Sequence, residues 1–198
     1  MAMRADVAAD LSDSAHDFLR VVWPVIRPWC GGGELKPVEA VAPEEFERQL
    51  DVLAGIDAWQ IVEDTGIRGI ASRVQWPKDW NGEPGWWETF TVRKQRATGT
   101  KTEWEKRKDA LSGARGFIKP ALLVQAYIRP PRREGSLTYV CMCNADDLYA
   151  LATDEMEGDA WYSEVNPQDG NIFAVFKVRS LREHGVRVKH WSKCEEEV

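Results

Sequence analysis

Apolar and polar positions alternate along this chain with two different periods, and the switches between them mark its elements. Residues 8–29 carry Phe18, Leu19, Val22, Trp23 and Ile26 as a stripe at helical spacing, with Ser12 or Asp13 placed to cap it. Pro24 and Pro28 are expected to break or kink that helix, and Gly31, Gly32 and Gly33 to end it. A second helix is expected from about Pro43, with Glu44 and Glu45 in its first turn, Phe46, Leu50 and Leu53 on its buried face, and Gly55 stopping it. The period then shortens to two. Residues 57–63 and 68–76 read as strands joined by a turn at Asp64, Thr65 and Gly66.

A Pro- and Gly-containing loop follows, then a third strand over 88–96 and a helix capped by Thr102 that runs to about Leu111. Residues 121–129 and 136–144 are the next strands, and Asn144 or Asp146 caps a short helix to about Leu151. Residues 171–179 are a further strand, and 186–191 form a last one at an edge. This order predicts an α+β fold: a mixed central sheet with an αβββαβ core, flanking helices and a C-terminal strand–helix–strand extension. Residues 1–33 are read as a helical arm and 34–198 as a single domain.

Composition changes this picture little. The 198 residues are 43% hydrophobic and 29% charged, enough for a packed core. No apolar run is long enough to span a membrane, and the first ten residues lack the pattern of a secretory signal. The four cysteines have no CxxC spacing and are read as reduced thiols, so a cytoplasmic protein without a membrane partner is expected. The net charge of −6 excludes coating nucleic acid through bulk charge. The basic residues are concentrated between Arg93 and Arg115, as a phosphate-facing strip or as a solvated helix face.

The candidate chemistry centres on Asp57, which follows Gly55 and opens the first strand of the hairpin. Side chains alternate across a strand, so Arg73 and Gln75 share one face of the second strand, and Thr89, Thr91 and Arg93 one face of the third. The opposite faces carry Ile70 and Val74, and Phe90 and Val92. Polar faces aligned beside Asp57 would gather an acid, an amide, hydroxyls and two guanidiniums.

The helix with acidic residues, the Gly-Ile-Asp string at 55–57 and the hairpin ending at Gln75 resemble the PD-(D/E)XK nuclease-like superfamily over residues 34–129. That resemblance implies a metal-dependent nuclease-like protein acting on DNA, active or degenerate. Asp57 matches the metal-binding aspartate, Gln75 the second motif position, and Glu39, Glu47 or Asp51 the upstream acid. The implied cofactor is Mg²⁺ or Mn²⁺, a hard cation held by oxygen ligands that polarises a phosphate. The pattern departs at its lysine: the strand reads Ala71-Ser72-Arg73-Val74-Gln75, leaving Arg73, or Lys94 from the third strand, as the substitute. Arginine holds phosphate but is a poor proton acceptor. Either the catalytic group is displaced or the site no longer hydrolyses.

Arg93, Arg96, Thr100 and Lys101, ahead of a helix start, are the candidate nucleic-acid contacts. Of the ten tryptophans, Trp76, Trp80, Trp86 and Trp87 cluster in one loop; Trp86 and Trp87 stack on bases, or the loop folds back onto the sheet. The rival function is a non-catalytic subunit that binds a protein partner or itself through this loop. His16, His184 and His190 are scattered without a zinc motif, and Ser72 lacks a nucleophile elbow.

Overall fold

The computed structural model describes residues 12–41, 55–63, 66–77, 88–97, 102, 104, 105, 107, 119–154, 157, 158, 160–167 and 169–193. The N-terminal segment is helical throughout 12–30 rather than broken at its prolines. It is α-helical over 12–17, π-helical over Phe18–Val22, α-helical over Trp23–Ile26 and 3₁₀ over Arg27–Cys30. Each proline sits in the first turn of a new helical type, where its missing N–H is not needed. Gly31, at φ 78°, closes the segment in the left-handed region. Phe18, Val22, Trp23 and Ile26 form the buried stripe, and Leu19 is only half-buried. Each such side chain contributes about 1.5–3 kcal/mol when fully buried.

Strand β1 (Glu34–Pro37) and helix α1 (Val38–Val41) come next, and neither is foreseen from the sequence. The expected second helix falls on 42–54, outside the described residues. Strands β2 (Ala58–Val62) and β3 (Gly66–Gln75) form the predicted antiparallel hairpin, with Ala58 opposite Ile70. The remaining elements are β4 (Thr89–Gln95), β5 (Leu122–Ile128), β6 (Leu137–Asn144), α2 (Ala145–Asp154), β7 (Trp161–Val165), β8 (Ile172–Lys177), α3 (Val178–Glu183) and β9 (Val188–Ser192). Asn144 caps α2, its Oδ1 accepting from the backbone N–H groups of Asp146 (2.7 Å) and Asp147 (3.3 Å). The expected strand over 171–179 ends at Lys177, where α3 begins.

The fold is α+β, with a six-stranded mixed sheet in the order β1-β2-β3-β5-β6-β9 and a three-stranded antiparallel sheet in the order β4-β8-β7. In the larger sheet β3 and β5 run parallel and every other pair is antiparallel. This corrects one expectation: β4 is not a sheet neighbour of β3 but pairs with β8 in the second sheet. Ile70, Val74, Leu122, Val124, Ala126, Val140 and Met142 line one face of the large sheet, and the N-terminal helical segment packs on it. A second core joins Leu123, Tyr127, Tyr139 and Cys141, on its other face, to Phe90, Phe176, Trp104 and α2. Among the described residues, no helix is long and apolar enough to cross a membrane.

Candidate functional site

Asp57 is positioned by a close approach. The Ile56 side chain is fully buried over Gly69 of β3, where a Cβ would stand 2.8 Å from Ile56 Cδ1. That contact brings the chain from Gly55 against β3 just where β2 starts. Asp57 N–H donates to Ile70 O at 2.9 Å, and Asp57 O accepts from Val38 N–H at 3.2 Å. The carboxylate lies on the same strand: Oδ2 accepts from Ser72 N–H at 2.5 Å and from Ser72 Oγ at 3.3 Å. Asp57 therefore ends the β2–β3 ladder by supplying an acceptor to an N–H beyond its last backbone pair.

Gln75 lies three residues further along β3, and the strand's alternation puts its Cβ on the face opposite that of Ser72. With its amide turned so that both ends meet matching partners, its oxygen accepts from Arg73 Nε (3.0 Å) and Nη2 (3.3 Å) and its nitrogen donates to Tyr127 Oη at 3.1 Å. Gln125, fully buried on β5, extends this network. Its Nε2 donates to Tyr127 Oη at 2.6 Å, and its Oε1 accepts from Thr91 N–H (2.8 Å) and Thr91 Oγ1 (3.0 Å) on β4. Burial pushes the Tyr127 phenol above its ordinary pKa, so it stays neutral and hydrogen-bonds as a hydroxyl.

The two predicted polar faces do meet, but across two sheets rather than along one. Phe173 of β8, opposite Arg93 in register, is the meeting point. The Arg73 guanidinium carbon lies 4.5 Å from the centre of its ring and that of Arg93 5.7 Å. Both arginines are half-buried. Arg93 Nε is buried without a hydrogen-bond partner, a donor left short by about 1–3 kcal/mol unless an acceptor reaches it. An acceptor reaching Arg93 Nε would remove that cost.

The other predicted residues are distributed differently. Lys94 points to the opposite face of β4, where Nζ meets Glu157 Oε2 (3.1 Å), Ser163 Oγ (2.9 Å) and the Trp161 ring (4.8 Å). It is thus separated from Arg73 and Gln75 and cannot stand in for the motif lysine beside them. Arg96 is exposed. Thr102 is part of an ordinary capping arrangement: its N–H donates to Glu105 Oε2 at 3.0 Å and its hydroxyl to Lys94 O at 2.9 Å. Arg107 of the basic strip is buried with its guanidinium over Tyr149. Trp76 is held by the N-terminal helix, its Nε1 donating to the buried Asp17 carboxylate at 2.8 Å. Asp51, Glu47, Thr100, Lys101, Trp86 and Trp87, and the side chain of Glu39, lie outside the described residues.

A divalent cation does not fit the described donor set. The Asp57 carboxylate is turned to Ser72, and the Gln75 amide oxygen faces a guanidinium. Among the described residues, no three His, Cys, Asp or Glu side chains stand close enough to hold a metal. Phe173, Gln125 and Tyr127 are the site residues the sequence reading missed. The one available signal was Gln125 and Tyr127 at alternate positions of a strand, matching Arg73 and Gln75. Comparison with known protein families, with curated proteins and with solved structures gave no match.

Proposed function

We propose that the protein is a nuclease-like DNA-binding protein in a non-hydrolytic form, which holds phosphate through Arg73 and Arg93. The observation that carries this reading is the convergence of two guanidiniums on Phe173, one with a buried and unsatisfied Nε. Arginine forks match phosphate oxygens in geometry and remain charged at every working pH. Gln75 contributes by orienting Arg73, and Asp57 by fixing the strand that carries both.

Anisotropy of a labelled duplex, measured across a salt series, tests the binding. About two phosphate contacts would give a slope of log K against log salt near −1.8. Arg73→Gln and Arg93→Gln should each weaken binding at least tenfold. Cleavage of plasmid with Mg²⁺ or Mn²⁺, abolished by Asp57→Ala, would show instead that the site hydrolyses. The rival reading, docking on a protein partner through the tryptophan loop, rests on residues outside the described ones; among the described residues, the exposed apolar side chains Ile67, Tyr162 and Val165 form no single patch. Ile67 stands on β3, while Tyr162 and Val165 take opposite faces of β7.

A further inference from the structure

We infer that the exposed face formed by α3 and β9 is a docking surface for the phosphate backbone of DNA, separate from the contact at Arg73 and Arg93. The choice of DNA as occupant rests on the reading of this protein as DNA-binding, whereas the position rests on α3 and β9 alone. Residues 177–193 hold Lys177, Arg179, Arg182, Arg187, Lys189 and Lys193 beside a single acid, Glu183. All six cations are exposed. The whole chain has 32 Asp and Glu against 26 Lys and Arg, so this stretch reverses the sign of the molecule locally. The three glutamates at 195–197 follow it in sequence and lie outside the described residues; the six cations outnumber them and Glu183 together.

The topology sets these cations along one rim. Strand β9 is an edge of the large sheet, paired with β6, and α3 leads into it. Arg182 Nη2 donates to Val188 O at 3.3 Å and meets His190 Nδ1, which holds the α3 guanidinium against β9. On the other face of the strand, Lys189 Nζ donates to Trp29 O at 3.0 Å. Arg187 and Lys193 stand just before and just after the strand. At strand rise they are about 20 Å apart, the length of about six nucleotides along one DNA strand. Their charge is not spent inside the fold. Among the described residues, Arg179 alone of the six pairs with a carboxylate, that of Glu183 at 2.9 Å, and an exposed i,i+4 pair holds its partners weakly. Cations on an edge strand also deter pairing with another sheet, but either sign of charge serves that end, and Arg179 and Arg182 are not on the edge. The exposed large apolar side chains among the described residues lie on β3 and β7, so α3 and β9 lack the apolar anchor a protein interface is built around. A phosphate backbone needs only cations in a row.

Full-length protein should be titrated into a labelled duplex across a salt series, with a polyglutamate peptide as a second ligand. Contacts from this face make the slope of log K against log salt steeper than the value near −1.8 expected from Arg73 and Arg93 alone. The side chains of Arg187 and Lys193 make no hydrogen bond or ion pair among the described residues, so replacing them should leave the melting temperature unchanged. Arg187→Gln combined with Lys193→Gln should weaken duplex binding at least tenfold at about 0.1 M salt and flatten the slope by about 1.8. Arg187→Lys combined with Lys193→Arg should bind like the unchanged protein. Arg20→Gln combined with Lys36→Gln removes the same charge elsewhere and should leave the slope as it was. Equal losses in the two Gln pairs, or a loss confined to Arg73→Gln and Arg93→Gln, would overturn the inference and leave the DNA reading standing. A loss with the Arg187 and Lys193 pair but none with Arg73→Gln or Arg93→Gln would support the inference and overturn the role given to those two arginines. Polyglutamate bound through Arg187 and Lys193, without binding of the duplex, would point to an acidic protein partner and overturn both. Binding of neither ligand would also overturn both.

Discussion

Gln125 shows how much one buried amide can decide. It is a hydrogen-bonding link between the two sheets, joining Thr91 on β4 to Tyr127 on β5. Replacing it with leucine keeps the volume but strips an acceptor from the Thr91 N–H and a donor from Tyr127. A loss of about 1–3 kcal/mol in stability is expected from the unmade bonds, read as a lower urea midpoint. Asp57 is a residue of the same kind. Asp57→Ala should lower stability by about 1–2 kcal/mol because the Ser72 N–H loses its acceptor, while Asp57→Asn, which keeps an oxygen there, should recover most of the loss. An Asn variant as unstable as the Ala variant would show that the negative charge, not the acceptor, is what matters.

At the scale of elements, the informative strand is β7, an edge of the small sheet. Its exposure is managed by the turn that precedes it. Ser163 N–H donates to Glu157 Oε1 at 2.7 Å, and Trp161 O accepts from Gly158 N–H at 2.8 Å, so backbone groups open to another chain are already engaged. The Ser163 hydrogen bonds, and then Lys94, hold the Glu157 carboxyl below its ordinary pKa. A depressed folded-state pKa means that this contribution is complete above about pH 4.3 and is lost as pH falls through the lower folded value. Asp13, lowered chiefly by its hydrogen bond to Arg133, follows the same sign, so acid should loosen the contact of the N-terminal helix with the loop after β5. Glu157→Ala should therefore raise self-association at neutral pH, measured by light scattering. The β2–β3 hairpin was legible in the sequence because its contacts are local, alternate cleanly and close on a turn containing Gly66. The partner of β4 was not: β8 lies some eighty residues away, and alternation assigns faces without naming the sheet that receives them. Arg73, Gln75 and Arg93 could thus be placed on polar faces, but Phe173 looks like an ordinary core residue until the second sheet is known.

Across the whole molecule, an acidic chain of net charge −6 brings two guanidiniums to one ring where its two sheets meet, with cores on both faces of the larger sheet. The thiols report on the integrity of that arrangement. Cys141 and Cys143 are buried on β6, and burial pushes both well above the ordinary thiol range; Cys30 is raised by the same cause. All three should resist a thiol reagent at pH 8 in the folded protein and react together on unfolding. Fast labelling of Cys141 in native protein would mean that the sheets part readily. The central claim is that Arg73 and Arg93 jointly bind an oxyanion against Phe173. Crystals soaked in tungstate test it most directly: anomalous density within hydrogen-bonding distance of both guanidiniums is the expected result. Density absent there in fully ordered side chains, or confined to other sites, would contradict it.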